Sequence, residues 1–257
     1  MKCLFFLLLF FSNFIYSQNR VGVEYQFVFN NDDKFSEYLF IEDGFSYYFG
    51  VGGIYDHFDK TDYKSALTEL NENKDLGTVR LFYSANTGKL FEYKVAVKPK
   101  PLLAWELLPK IPWKIDADHK EILGYDCQKA SCIFRGRTYI VWFAQDIPVS
   151  EGPWKLKGLP GLVLEARDVE GQYNYLAKSI IISSDLEEPI IEKEYFDKEI
   201  PNSKNLKEVI LLENKYLNGR RSEIMASYPS GTVFQNPPIR NSSKETEFEW
   251  ENEPEKP

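Results

Sequence analysis

The chain has 257 residues, 43% hydrophobic and 16% aromatic, with a formal net charge of −8. That composition can build a packed core, and its Tyr and Phe content favours half-buried pleated sheet. The acidic balance argues against a surface that tracks phosphates, so neither nucleic acid nor electrostatic docking on anionic lipid is expected.

At the amino end, Lys2 precedes an unbroken apolar run at residues 4–11, and a short polar-aromatic stretch then leads to Ser17-Gln18. This is the order of a secretory signal peptide, so residues 1–17 are expected to be removed and the product to be periplasmic or secreted. The run is far shorter than the ~20 residues of a membrane-spanning helix, and no later transmembrane segment is expected. Cys3 lies ahead of the run and is lost with it.

Val21, Val23, Tyr25, Phe27 and Phe29 alternate with Gly22, Glu24, Gln26 and Val28, the period of a strand with one buried face. Residues 36–41 and 45–51 flank Asp43-Gly44, a hairpin signal. Gly52-Gly53 break the pattern, and residues 59–70 have helical character but fit a loop equally well. Residues 79–83 and 90–97 predict a hairpin around Asn86-Thr87-Gly88. Pro99, Pro101, Pro109 and Pro112 then end regular pairing, because proline lacks the amide a ladder needs.

Strand character resumes at Trp113 and leads to Cys127 and Cys132. An even cysteine pair in an exported chain predicts a disulfide, with the four intervening residues as a hairpin loop. The spacing is too long for a redox motif, and His57 and His119 each lack the further ligands of a zinc site, so no metal or cofactor is expected. In residues 137–144 Thr138, Ile140 and Trp142 oppose Tyr139, Val141 and Phe143, which predicts a strand covered on both faces. Residues 162–168 and 173–182 form another hairpin turned at Glu170-Gly171.

A helix follows, capped by Asn202 or Ser203, with Leu206, Val209, Ile210, Glu213, Leu217 and Ile224 along a mostly apolar stripe and Gly219 as its end or kink. Residues 236–257 are polar and acidic and are expected to be a disordered tail. Phe248 and Trp250 within it leave open a docking motif or a last edge strand. The predicted fold is mainly β: a strongly curved antiparallel sheet, an open barrel or bowl, with a C-terminal amphipathic helix, in one domain over residues 18–235. A sandwich, or two subdomains divided near residues 99–112, are the alternatives.

The most distinctive stretch is WFAQDIPVSEGPWKLKGLPGLVLEARD at residues 142–168. Gly152-Pro153-Trp154 predicts a rigid turn presenting a large ring. Gly158-Leu159-Pro160-Gly161 fits a type II turn, Pro160 fixing φ and Gly161 supplying positive φ. This stretch resembles the GLPGLI family of exported proteins, valine replacing the final isoleucine. The resemblance extends upstream through Trp113, through residues 122–130 (ILGYDCQKA) and through Phe134-Arg135-Gly136-Arg137. It also takes in Ile147-Pro148-Val149-Ser150 and Gly152-Pro153-Trp154. It implies export and a β-rich domain, and no established activity. That family is also similar to a bowl-shaped amino-terminal module of some secreted peptide N-glycosidases, a likeness that brings no catalytic residue with it.

No constellation in the chain amounts to a catalytic mechanism. The glycine-proline loop leads into an apolar strand and lacks a donor at Pro160, unlike a phosphate cradle. Asp116 with Asp118, or Glu165 with Asp168, are acid pairs of the kind glycoside hydrolysis uses. Asp56-His57 and Asp118-His119 are incomplete as metal sites. Arg135 and Arg137, with Lys155 and Lys157, offer a basic patch for a carboxylate, a glycan acid or a partner, against which stands ion pairing with Glu165 and Asp168. Trp142 and Trp154 are candidate binding aromatics. The expectation is a non-enzymatic module that binds a small apolar or glycan ligand, or an outer-membrane or other envelope protein. A secreted hydrolase, or an accessory domain acting on an extracellular glycan or peptide, is the alternative.

Overall fold

The computed structural model describes residues 20–30, 33–50, 80–94, 102–233, 240 and 243–251. The expected signal peptide, Gly52-Gly53, Asp56-His57 and the stretch at 59–70 lie outside the described residues.

The protein is mainly β. The first six strands are β1 (Arg20–Phe29), β2 (Asp33–Glu42), β3 (Phe45–Gly50), β4 (Arg80–Ser84), β5 (Lys89–Lys94) and β6 (Leu102–Leu107). There follow β7 (Lys114–Ile122), β8 (Tyr125–Phe134), β9 (Arg137–Ala144), β10 (Leu162–Asp168), β11 (Tyr173–Ser183) and the short β12 (Lys204–Asn205). They form one sheet in the order β12-β6-β5-β4-β3-β2-β1-β11-β10-β9-β8-β7. Pairing is antiparallel except between β12 and β6. Two helices follow the main strands, α1 (Ile190–Glu199) and α2 (Leu206–Ala226).

One apolar cluster joins Leu81 and Leu90, near one end of the sheet, to Tyr139, Val141 and Phe143 near the other. Those strands can share a core only if the sheet curls towards that face, which makes it a bowl. Val21, Val23, Tyr25 and Phe27 line its floor, on the side their period-two spacing predicts. The opposite face of β2 and β3 is also buried: Tyr38, Phe40, Tyr47 and Phe49 pack under Phe196 of α1. Double coverage therefore belongs to β2 and β3. On β9, where it was expected, Thr138, Ile140 and Trp142 are only half-buried.

Three further expectations are corrected. Strand β6 lies between Pro101 and Pro109, so the prolines bracket a paired strand instead of ending the ladder. The cap of α2 is Asn205, whose side chain accepts from the Lys207 amide at 2.9 Å. That helix runs past Gly219 but buries only Leu206, Val209 and Ile210, against Ala104 and Phe248.

The cysteines are the clearest correction. Cys127 and Cys132 lie on the same strand, β8, and both are free. Five steps along extended chain put them about 17 Å apart, far beyond the span of a disulfide. The tight turns fall on either side of them, at Leu123-Gly124 (φ 53° and 82°) and Arg135-Gly136 (φ 47° and 81°). Positive φ at two consecutive residues is the signature of the two-residue hairpin turn.

Burial pushes the Cys127 thiol up to about 11 and the Cys132 thiol to about 12. At pH 8 neither should react with a thiol reagent in the native protein, and both should react after denaturation. Under non-reducing digestion no peptide pair linked through Cys127 and Cys132 should appear in the mass spectrum.

Candidate functional site

The mouth of the bowl is filled from two directions. The first filler is the connection between β9 and β10, residues 145–161. Backbone bonds fold it inward: the Gly158 amide donates to the Ser150 carbonyl at 3.0 Å, and the β10 amides of Leu162 and Val163 donate to the carbonyls of Ile147 at 3.1 Å and Glu151 at 3.0 Å. The Leu162 bond bypasses the expected type II turn. At Gly161 φ is +159°, and a Cβ there would lie 2.7 Å from the Ala144 carbonyl carbon. Glycine is needed at this point for close backbone approach more than for a turn. The indole of Trp154 packs edge-on to Phe134 at 6.0 Å and beside Tyr139 at 6.2 Å, although its backbone sits at φ +56°. Left-handed backbone costs roughly 1–2 kcal/mol, and ring burial offsets it.

The second filler is the strap, residues 243–251, which falls within the stretch expected to be a disordered tail. Here that expectation fails. The Thr246 and Glu247 amides donate to the Arg135 carbonyl at 3.0 and 3.3 Å. Arg137 Nε donates to the Ser243 carbonyl at 2.7 Å, and Tyr139 Oη to that of Lys244 at 3.2 Å. Phe248 is buried, stacked on Trp250 at 4.6 Å and flanked by the Arg135 and Arg240 guanidinium groups at 4.9 and 5.0 Å.

Between the fillers lies a buried charge network. Lys155 is 0% exposed, and its Nζ lies 2.8 Å from Glu106 Oε1, Glu245 Oε1 and Glu92 Oε2. Arg135 donates to both oxygens of Glu106, to Glu245 and to Glu249 Oε1 at 3.0 Å. Lys94 pairs with Glu92 at 2.8 Å and Glu245 at 3.7 Å. Burial by itself lowers the Lys155 pKa, but the carboxylates of Glu106, Glu245 and Glu92 outweigh it and hold the ammonium above its ordinary range. Burial likewise works against charge on Glu245, yet Lys155, Lys94 and Arg135 hold its carboxyl well below the usual carboxylate range. Glu92 is shifted the same way by Lys155 and Lys94.

A second, half-buried pair, Lys157 with Glu151 at 2.6 Å, behaves in the opposite sense. Burial outweighs the mutual attraction, raising the pKa of Glu151 and lowering that of Lys157. Lys157 Nζ also stands over the Tyr83 ring, 2.9 Å from its centroid.

Of the residues singled out in the sequence, Trp154, Lys155, Arg135 and Arg137 converge on the strap, and all four are buried. Arg135 lies in the β8–β9 turn and Arg137 opens β9, so they enter separate networks. Arg137 bonds Asp168 at 2.9 Å, Glu170 at 2.6 Å and Gln172 at 2.7 Å. Trp142 stays outside on the convex face, with Lys120 Nζ 4.5 Å from its ring centroid. The candidate acids are ion-paired: Glu165 to Lys120 at 2.6 Å, Asp168 to Arg137 and Asp118 to Lys129 at 2.8 Å. Among the described residues no group of three or more His, Cys, Asp or Glu is placed to hold a metal. Sequence reasoning missed Glu92, Lys94, Glu106 and Glu245. Glu106 left a trace, as an acid within the apolar run of β6.

The curved-sheet fold has counterparts among known proteins. Residues 103–199 match the family described as N-glycanase peptide, N-terminal domain. The solved structure of PNGF-II in space group C2 superposes with TM-score 0.53 at 17% identity, covering 77% of this chain and 33% of that one. PNGF-II in space group P21 gives 0.49 at 18% identity, covering 67% and 30%. The chain thus spans about a third of the length of the solved chains it resembles, and the likeness is one of fold. No curated protein matches the sequence.

Removing one partner from a buried ion network costs roughly 3–5 kcal/mol. Lys155→Met should therefore lower stability by about that much in urea melts at pH 7, because it leaves the carboxylates of Glu92, Glu106 and Glu245 facing one another. The pH dependence has a definite sign. Glu92 and Glu245 have folded values below their ordinary 4.5, so their contribution is complete above that pH and is lost as pH falls through the folded values. Lys155 is raised, so its contribution persists up to its ordinary value and is lost only at more alkaline pH. Through these carboxylates melting temperatures should fall below about pH 4.5, and Glu245→Gln should flatten the acid limb.

Proposed function

We propose that this chain is an exported accessory module that binds a ligand or a cell-envelope partner without catalysis, of the GLPGLI type, working alongside or in the manner of the amino-terminal module of an N-glycanase. The observation that carries this reading is the neutralised mouth. Lys155, Arg135, Glu106 and Glu245 are buried and committed to one another, whereas a hydrolytic site needs acids or a nucleophile turned towards a substrate. The match over residues 103–199 to the N-terminal domain of N-glycanase peptide supports it, as does the GLPGLI-type loop at Gly158, Leu159, Pro160 and Gly161. That loop shapes the interior through its backbone and offers no reactive atom. The leader at residues 1–17 supports export to the periplasm or beyond.

The test is native mass spectrometry of the mature protein purified from its own envelope, alongside incubation with glycopeptides. A bound molecule or partner and no change in the glycopeptides is the expected result. Stoichiometric glycan release that tracks the purified protein would reverse the reading.

A further inference from the structure

The strap is held as a ligand is held. Among the described residues it belongs to no strand of the sheet: its backbone bonds to the sheet run to the Arg135 carbonyl and to side chains, and residues 249–251 close a 3-10 turn of their own. Its side chains enter receptors built by the rest of the fold. Lys244 Nζ sits in a cage of aromatic rings, 4.4 Å from the centroid of Phe27, 5.1 Å from Tyr175, 5.8 Å from Trp154 and 5.9 Å from Tyr173. All lie within the ~6 Å reach of cation–π attraction. The next residue, Glu245, enters the cluster of Lys155, Lys94 and Arg135. Outside the strap those three cations pair with Glu92 and Glu106, and Glu213 stands by Lys94. Glu245 is the carboxylate that reaches all three, so its place is the one an incoming carboxylate would take.

Two observations show that the strap fits this groove incompletely. Tyr175 Oη, fully buried beneath Lys244, has no hydrogen-bond partner among the described residues. Cavities of about 280 and 160 Å³ flank the strap, one lined by Glu247, Phe248 and Glu249 with Lys110 and Ile133, the other by Ser243 and Glu245 with Lys94 and Glu213.

We infer that the mouth of the bowl is a peptide-binding groove, and that residues 243–251 are its resident intramolecular occupant. The ligand class is a short protein segment with a cation, a carboxylate directly after it and an aromatic residue three positions beyond, the pattern of Lys244, Glu245 and Phe248. The segment comes from a partner protein, which gains the groove by displacing the strap. This deepens the binding-module reading and rests on it.

The test uses the full mature chain, as wild type and as Phe248→Ala. That variant weakens the strap without removing a charge partner. The probe is a labelled synthetic peptide, SKETEFEWE, copied from residues 243–251. It should bind the variant at least tenfold more tightly than wild type, and a probe with glutamine for its first glutamate should lose at least tenfold on the variant. In wild type, hydrogen exchange at the Thr246 and Glu247 amides should be faster than at β8–β9 amides, since a displaceable strap opens without global unfolding. A folded variant that ignores the peptide, or strap amides protected as strongly as the sheet, overturns the inference. If the variant does not fold, the exchange measurement on wild type decides. Native mass spectra showing another ligand, with no peptide binding, would keep the broader function and discard this groove.

Discussion

A lysine ammonium with no access to water must be met by carboxylates or give up its charge, and Lys155 is met by three. The partners come from β5, from β6 and from the strap, while Arg135 reaches Glu106 and Glu245 from the β8–β9 turn. These elements stand far apart in the strand order, so the network closes only when the sheet is curled and the strap is in place. Curvature, the inward path of residues 145–161 and the position of the strap are thus parts of one condition. Each brings charges that the others leave uncompensated, and burial makes an uncompensated charge expensive.

The glycines of the distinctive loop serve the same condition. Lys155 reaches the centre because the chain on either side of it can pass close to neighbouring backbone. Gly161 lies against Ala144, and Gly152 against Val163, whose Cβ would be 2.8 Å from any side chain added there. Gly136 is constrained twice, by its turn at φ +81° and by Thr246 and Glu247 of the strap lying over it. These glycines therefore act through shape, and the turn Gly158-Leu159-Pro160-Gly161 itself carries no ionisable or nucleophilic side chain.

What could be read from the sequence follows from the range of the interactions involved. Period-two alternation is local, so β1, the hairpin at Asp43-Gly44 and that at Glu170-Gly171 were legible, and with them the curved, mainly β architecture. The cysteine pair misled because even count and short spacing were weighed above Leu123-Gly124 and Arg135-Gly136, whose glycines mark the real turns. Trp154, Lys155, Arg135 and Arg137 stood out as chemistry-bearing residues, but their partners did not. Glu106 is 29 positions from Arg135, and Glu245 is 110. No local pattern can disclose such pairings. An alternating run of glutamates reads as solvated until a buried cation is known to await one of them.

A buried ion network is weak ground for stability, since apolar packing of similar volume often serves as well. What this network imposes is register. Lys244 occupies the aromatic cage and Glu245 the cationic cluster, and these successive residues cannot exchange places without penalty. A shift of one residue would drive the Lys244 ammonium against Lys155 and Arg135, or set a carboxylate against the negative faces of Phe27 and Tyr175. Both placements are repulsive. The charges at the mouth thus select one segment in one alignment, as a recognition surface does and as an apolar plug would not. That the occupant belongs to the same chain changes its effective concentration. The features by which it is recognised are unaltered, and they remain legible in the cage, the cationic cluster and the ring of Phe248.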